Sequence, residues 1–142
     1  MNITPIDSRL SVSGQPDEAE IASLPASGFA LLINNRPDGE EPGQPGNAAE
    51  AKAAEAAGLA YLHLPVTGPG ITRDEIARFR EAVDGASGPV IAHCRSGTRS
   101  ITLWALSEVL AGRLGRDDLT AYGQERGFDL SGAVRWLDTH GA

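Results

Sequence analysis

The chain has 142 residues, which is the length of one ordinary domain. Apolar residues make up 41% of the sequence and charged residues 22%, a balance typical of a folded globular protein rather than a disordered one. The formal net charge of -7 argues against DNA or RNA as a partner, because binding to phosphates needs clustered lysine and arginine. We therefore expect a single domain over residues 1–142 and no nucleic-acid partner.

The sequence also limits where and with what the protein works. No apolar run is long enough to cross a membrane, and residues 1–5 lack the features of a signal peptide, so we expect no membrane partner and a cytoplasmic location. The single cysteine, Cys94, cannot form an internal disulfide. The three histidines show no metal-ligand spacing with it, and we predict neither a metal nor another cofactor.

Short apolar runs alternate with longer segments of helical periodicity, a pattern typical of strand–helix–strand crossovers. In the first part of the chain the pattern predicts strands at residues 10–13 and 30–34 with a helix at 17–24 between them. Residues 36–46 hold three prolines and three glycines, and we predict a long loop there. Ordered loops of this length are often functional.

The second part of the chain continues the alternation. Asn47 is expected to cap an alanine-rich helix running to about residue 57, and Thr72 with Glu75 forms a capping box for a helix running to about residue 84. The other predicted elements are strands at 61–64 and 90–93, a buried helix after Cys94, and helices at 117–127 and 131–140. These elements predict an α/β fold: a single three-layer domain with a mostly parallel central sheet of about four to five strands flanked by helices.

The candidate chemistry lies in residues 93–100, of sequence HCRSGTRS, between a predicted strand and a predicted helix. Backbone N–H groups of Arg95, Ser96, Gly97 and Thr98 can face one concavity there, and the positive end of the helix dipole adds to them. Such a concavity binds a small anion, so we expect an anionic substrate. Gly97 allows the tight backbone path.

The positive electrostatic field of these backbone N–H groups and of the helix dipole also acts on the sulfur of Cys94. Arg99 adds a permanently charged guanidinium, and thiols at helix N-termini beside arginine are often ionised at neutral pH. We therefore interpret Cys94 as a nucleophilic thiolate, with Ser100 able to donate a hydrogen bond that favours its release. The alternative is that Cys94 is a small buried apolar residue and that Arg95 is only a solvated side chain.

Other residues are expected near the sulfur because ligands gather at the carboxyl ends of parallel strands. Arg36 could hold an anionic tail of the substrate, and Thr67 follows another predicted strand closely. The alternative for Arg36 is a pairing with Asp38 or with backbone that orders the loop. A carboxylate at Asp38, Glu40 or Glu41 could serve as an acid, but it would repel an anionic substrate unless it were protonated.

Two of the histidines lie close to this predicted edge of the sheet. His63 is in a strand and His93 precedes the nucleophile, and both fit structural hydrogen-bonding roles better than proton transfer. We expect His93 to orient the loop.

The sequence resembles a bacterial family of phosphatase-like domains, also found fused to metallo-β-lactamase-type hydrolases, that shares the dual-specificity phosphatase fold. The resemblance spans most of the chain. It rests on ITP at 3–5, LSVSGQ at 10–15, INNRPDGEEP at 33–42, LPVT at 64–67 and the cysteine loop. It implies a fold of that type and a cysteine nucleophile at Cys94.

Two departures from the wider tyrosine-phosphatase pattern bear on activity. That pattern places five residues between cysteine and arginine, whereas four lie between Cys94 and Arg99. Its general-acid aspartate is matched here by Thr67, which cannot protonate a leaving group efficiently. The six-residue loop 94–99 is instead similar to that of rhodanese-type sulfurtransferases.

Three functions follow, and the sequence favours the first. A sulfurtransferase would take sulfane sulfur from thiosulfate or a persulfide onto Cys94 and pass it to an external low-molecular-weight or protein thiol, chemistry that needs no strong acid. A phosphatase would hydrolyse a phosphomonoester through a phosphocysteine. An inactive module would only bind an anionic partner.

Overall fold

The computed structural model describes residues 1–141. A five-stranded sheet runs through its centre, and the strands lie in the spatial order β1-β2-β5-β3-β4. Their bounds are Thr4–Pro5 for β1, Leu10–Ser13 for β2, Leu31–Asn34 for β3, Ala60–His63 for β4 and Val90–His93 for β5. Only β1 is antiparallel to its neighbour, so the sheet is mostly parallel as predicted.

Helices cover both faces of this sheet. Their bounds are Glu18–Ser23 for α1, Asn47–Ala57 for α2, Arg73–Gly85 for α3, Thr98–Leu110 for α4, Leu119–Glu125 for α5 and Ser131–His140 for α6. Short 3-10 turns lie at Pro25–Ser27, Gly68–Gly70 and Arg116–Asp118. Within residues 1–141, no helix combines the length and apolar character needed to cross a bilayer.

Alternation along the strands produces the three layers. Leu32 and Ile91 pack with Ile21 and Ala54 on the side of α1 and α2. Their strand neighbours, among them Ile33 and Ala92, belong to the larger core on the other side, which α3 to α6 complete. Strands buried on both faces are nearly continuous apolar runs, which is why they could be predicted.

The register of the parallel strands aligns their carboxyl ends at one edge of the sheet. Ser13 pairs with His93, His93 with Asn34, and Asn34 with His63, so the last residues of the four parallel strands lie level. The segments that follow these strands therefore begin side by side. This is the edge where the sequence predicted the ligand site.

Some local predictions were wrong. Asn47 does not cap α2, because Gly46 takes that position with a φ of 84° and the Asn47 side chain accepts a hydrogen bond from the Tyr61 hydroxyl at 2.8 Å. The predicted helix 117–127 begins as the 3-10 turn and becomes α-helical only from Leu119 to Glu125. The two-residue strand Thr4–Pro5 was not predicted.

Candidate active site

Cys94 lies at the bottom of the loop that joins β5 to α4. Its side chain is 1% exposed, and its sulfur accepts a hydrogen bond from the Gly97 backbone N–H at 3.0 Å. The helix begins one residue later, at Thr98, so its unpaired N-terminal amides lie near the sulfur. An N–H donor and a helix N-terminus both favour negative charge at this position.

Gly97 is needed for this loop for two reasons. Its φ is 99°, a left-handed conformation that residues with a side chain rarely adopt. A Cβ at this position would also lie 3.1 Å from Cε1 of Phe128. The structure therefore agrees with the predicted role of Gly97 in the tight turn.

The Arg99 guanidinium lies close to Cys94, but its terminal nitrogens already donate hydrogen bonds within the protein. Its two terminal nitrogens donate to the two carboxylate oxygens of Glu40 at 2.7 and 2.9 Å, and one of them also donates to the Val66 carbonyl at 3.1 Å. The hydrogen bonds to Glu40 raise the pKa of Arg99 against the effect of burial, and the Cys94 sulfur raises it further. The guanidinium thus joins the cysteine loop to the loops that follow β3 and β4.

Arg36 is a buried staple in this structure. The residue is 1% exposed, and its guanidinium donates to Glu40 at 2.9 Å, to Glu41 at 2.6 Å and to the Gln15 side-chain oxygen at 3.0 Å. Burial opposes its charge, but the hydrogen bonds to Glu41 and Glu40 outweigh burial and raise its pKa. The geometry favours the loop-ordering role over contact with a substrate tail.

The partner predicted for Arg36 in that role was a different one. Asp38 accepts from the Asn47 backbone N–H at 2.7 Å. It therefore ties the loop to the start of α2, whereas Arg36 uses the next acidic residues along the chain.

The other predicted binding residues are at the mouth of the loop. Arg95 and Ser96 are exposed, and Arg95 lies 3.5 Å from a Glu41 oxygen. The Ser96 and Thr98 hydroxyls are 3.3 Å apart. Thr67 is exposed and directly follows Val66, whose carbonyl Arg99 contacts. These side chains surround the entrance, and their contact with a ligand stays a prediction.

Ser100 is fully buried and serves a link that was not predicted. Its hydroxyl donates to the Asn35 side-chain oxygen at 2.8 Å, and the Asn35 amide donates to the Leu64 carbonyl at 2.8 Å. The first turn of α4 is therefore tied to the ends of β3 and β4. In this arrangement the hydroxyl proton points to Asn35, so the proposed hydrogen bond to the thiolate requires it to turn.

His93 supports the loop from below. One ring nitrogen lies 3.2 Å from the Cys94 carbonyl oxygen, and the other lies 2.6 Å from a carboxylate oxygen of Glu50. Both Glu50 and His93 are buried, and the second Glu50 oxygen accepts from the Gln15 amide at 2.9 Å. These contacts fit the orienting role expected of His93. His63 similarly contacts the Arg36 carbonyl at 2.9 Å.

Together these contacts form a polar chain under the site. It runs from His93 through Glu50, Gln15, Arg36 and Glu40 to Arg99. Sequence reasoning did not find Glu50, Gln15 or Asn35, and it considered Glu40 only as an acid. One signal was available for Glu50: it is charged and lies four residues before the buried Ala54, on the same face of an alanine-rich helix.

Three carboxyl groups near the loop are poor proton donors at neutral pH. The hydrogen bond from Arg99, assisted by Arg36, lowers the pKa of Glu40 to about 2. The hydrogen bond from Arg36 lowers the pKa of Glu41, and the backbone N–H of Ser131 lowers that of Asp129. A reaction at Cys94 would therefore depend on a leaving group that departs readily as an anion.

Comparisons with known proteins agree with this geometry. The family model described as "Beta-lactamase hydrolase-like protein, phosphatase-like domain" matches residues 2–111. A beta-lactamase hydrolase-like protein of Agrobacterium fabrum is 50% identical over 142 residues, covering 100% of this chain and 33% of the relative. The chain thus spans about a third of the length of that curated relative.

Solved structures share the fold. A candidate phosphatase from Neisseria meningitidis Z2491 superposes with a TM-score of 0.85 at 33% identity, covering 98% of each chain. The human tyrosine phosphatase-like serine/threonine/tyrosine-interacting protein superposes with a TM-score of 0.73 at 20% identity, covering 98% of this chain and 95% of that one. The predicted dual-specificity-phosphatase-like fold is confirmed.

Proposed function

The chain belongs to the family of beta-lactamase hydrolase-like protein phosphatase-like domains, and from this membership and the site we propose a cysteine-dependent enzyme that moves sulfane sulfur. Cys94 is its nucleophile, and the backbone of residues 95–99 with Arg99 binds the anionic donor. The observation that carries this proposal is the state of the carboxyl groups around the loop. With Glu40 held ionised by Arg99 and threonine at position 67, neither of these positions can supply an efficient general acid.

The first half-reaction is an attack of the Cys94 thiolate on the outer sulfur of thiosulfate. A bond forms between the cysteine sulfur and that sulfur, and the bond to the sulfonate sulfur breaks. Sulfite leaves with the bonding electron pair and needs no proton. The Gly97 N–H and Arg99 stabilise the negative charge around the sulfur.

The second half-reaction returns the enzyme to its starting state. An external thiolate attacks the outer sulfur of the Cys94 persulfide, and Cys94 leaves as a thiolate. Residues 1–142 contain only one cysteine, so the acceptor thiol lies outside these residues. The N–H donor at 3.0 Å favours the departing thiolate here too.

A phosphatase is the second candidate, and the comparisons favour it more directly than the first. The family model is described as phosphatase-like, and the Neisseria structure is of a candidate phosphatase. Cys94 would attack phosphorus, and water would then hydrolyse the phosphocysteine. Without an acid, such an enzyme should hydrolyse aryl phosphates, whose leaving groups are good, far faster than alkyl phosphates.

One experiment separates the two candidates. The protein is incubated with thiosulfate or with p-nitrophenyl phosphate, with Cys94→Ser as the matched control. The proposal expects sulfite release and a Cys94 adduct of about 32 Da, one sulfur atom, with little phosphate release. Phosphate turnover that depends on Cys94, without a persulfide adduct, would show a phosphatase instead. Neither adduct nor turnover would leave an anion-binding module.

A further inference from the structure

A cavity of about 710 Å³ opens beside the cysteine loop. Its lining includes Thr98 and Arg99, the first two residues of α4, together with residues of α6. Ile71 and Trp136 supply apolar surface. This volume lies within the range of about 300–1,000 Å³ typical of small-molecule sites, and it is far larger than thiosulfate requires.

Two opposite charges lie at the α6 side of the cavity. Arg135 and Asp129 both line it, and Arg135 contributes to lowering the pKa of Asp129. None of the ion pairs described within residues 1–141 includes Arg135. The side chain folds back over Gly132, where a Cβ would lie 3.8 Å from one of its terminal nitrogens. The cavity thus presents a cation with free donors beside an ionised carboxylate.

The other two guanidinium groups in or beside the cavity are already committed. The Arg99 guanidinium is bound by Glu40 and is assigned to the anionic sulfur donor, so it is not the group that recognises the acceptor. Arg73 stacks over the Trp136 ring, with its guanidinium carbon 5.4 Å from the ring centroid, and it donates to the His140 carbonyl. Among the charged aspartate and arginine side chains that line the cavity, Asp129 and Arg135 therefore remain available to a ligand, and serine and threonine hydroxyls line it as well.

We propose that this cavity is the acceptor site and that it binds a low-molecular-weight thiol carrying an α-amino acid group. The carboxylate of the thiol pairs with Arg135 and its ammonium with Asp129, so that the sulfur points along the wall of Thr98 and Arg99 toward Cys94. The apolar surface of Ile71 and Trp136 packs against the carbon chain of the thiol. This inference rests on the proposed sulfur transfer and adds the class of its acceptor.

The test compares three thiols that share a two-carbon core. L-Cysteine carries both charges, N-acetyl-L-cysteine lacks the ammonium, and cysteamine lacks the carboxylate. The protein is first loaded with sulfur from thiosulfate, and the rate of persulfide loss from Cys94 is followed at several concentrations of each thiol. Because the three thiols differ in acidity, each variant is compared with the wild type on the same thiol.

In Arg135→Gln, the two carboxylate thiols should need about fivefold higher concentrations to reach the same rate, the effect of one ion pair at an exposed side chain, and cysteamine should be nearly unaffected. In Asp129→Asn, an amide oxygen can still accept the hydrogen bond at the start of α6. This variant should need higher concentrations of L-cysteine and cysteamine than the wild type, but not of N-acetyl-L-cysteine. Arg113→Gln removes an exposed charge that does not line the cavity and is the matched control. Equal effects on all three thiols, or none, would overturn the proposal.

A binding measurement keeps this result separate from the fate of the proposed function. S-Methyl-L-cysteine has no free thiol, and its titration can be followed by NMR at the two indole N–H groups. The Trp136 indole N–H donates to the Ile71 carbonyl at 2.7 Å and lines the cavity, so its signal should shift, while that of Trp104 should not. A shift without persulfide formation would retain the site and reject sulfur transfer; no shift with normal persulfide formation would reject only the site.

Discussion

Glu40 occupies both terminal nitrogens of Arg99, at 2.7 and 2.9 Å, although the two residues are 59 positions apart. Arg99 is the side chain from which an anion-binding role was expected. A substrate anion therefore meets a guanidinium whose charge is largely balanced by Glu40. This relationship gives Glu40 a direct influence on how strongly the Cys94 loop attracts anions.

Replacing Glu40 should strengthen anion binding. In Glu40→Gln the competing charge is lost, and we expect the KM for thiosulfate to fall by about tenfold, which corresponds to ~1.4 kcal/mol of attraction. Steady-state kinetics at constant ionic strength measure this. Glu55→Gln is the matched control, because it removes the same charge from an exposed position on α2 that takes part in none of the ion pairs described within residues 1–141. A higher KM in Glu40→Gln would show that Glu40 positions the guanidinium instead of competing for it.

The ion pair between Glu40 and Arg99 should make the free energy of unfolding depend on pH in the acidic range. The pKa of Glu40 is lowered from 4.5 to about 2 in the folded protein, so its contribution to stability is present above 4.5 and is lost as the pH falls toward 2. The free energy of unfolding of Glu40→Gln should therefore change less steeply across this interval. Urea unfolding at several pH values tests this.

Some acid sensitivity should survive in that variant, because the pKa values of Glu41 and Asp129 are lowered as well. The prediction therefore concerns the difference between the two proteins at each pH. Parallel curves for Glu40→Gln and the wild type between pH 2 and 5 would contradict the assignment of this acid-labile stability to Glu40.

The buried pair of Glu50 and His93 should matter most for stability. Both ring nitrogens of His93 face oxygen atoms, the Cys94 carbonyl at 3.2 Å and a Glu50 carboxylate oxygen at 2.6 Å. Glu50→Ala leaves His93 and the Gln15 amide without this partner and should cost about 3 kcal/mol of unfolding free energy. Glu55→Ala, on the exposed side of the same helix, should change it by less than about 0.5 kcal/mol. Chemical denaturation of both variants provides the comparison.

Much of the fold could be predicted because its signals are local. The strands Leu10–Ser13 and Val90–His93 and the helix Ser131–His140 were predicted with their observed bounds, since apolar runs and capping residues lie within each segment. The strand Thr4–Pro5 has two residues, too few to produce a pattern. Asn47 was misassigned because its side chain is taken by Tyr61, a contact across 14 positions.

The same distinction explains the site. Cys94, Gly97 and Arg99 are neighbours in the sequence, and their type and spacing indicated a nucleophile in an anion-binding loop. The pairing of Glu50 with His93 joins residues 43 positions apart, and no spacing rule predicts it. From the sequence, Arg36 could either bind a substrate or order its own loop. Its burial in the fold favours the loop-ordering role.

Ser100 offers a final test, of whether it acts on the sulfur or through Asn35. Its hydroxyl donates to the Asn35 side-chain oxygen at 2.8 Å, and Asn35 in turn donates to the Leu64 carbonyl. If Ser100 acts through Asn35, Ser100→Ala and Asn35→Ala should each slow both half-reactions, the loading of sulfur onto Cys94 and its release to the acceptor, to the same extent. The double variant should then be little slower than either single variant.

A direct role in leaving-group stabilisation predicts a different pattern. Ser100→Ala would then slow mainly the release step, in which Cys94 departs as a thiolate, and Asn35→Ala would not reproduce this selectivity. Rapid-mixing measurements of the two half-reactions distinguish the cases. Because the structure directs the hydroxyl to Asn35, we expect the two steps to be affected equally and the two substitutions to be strongly non-additive.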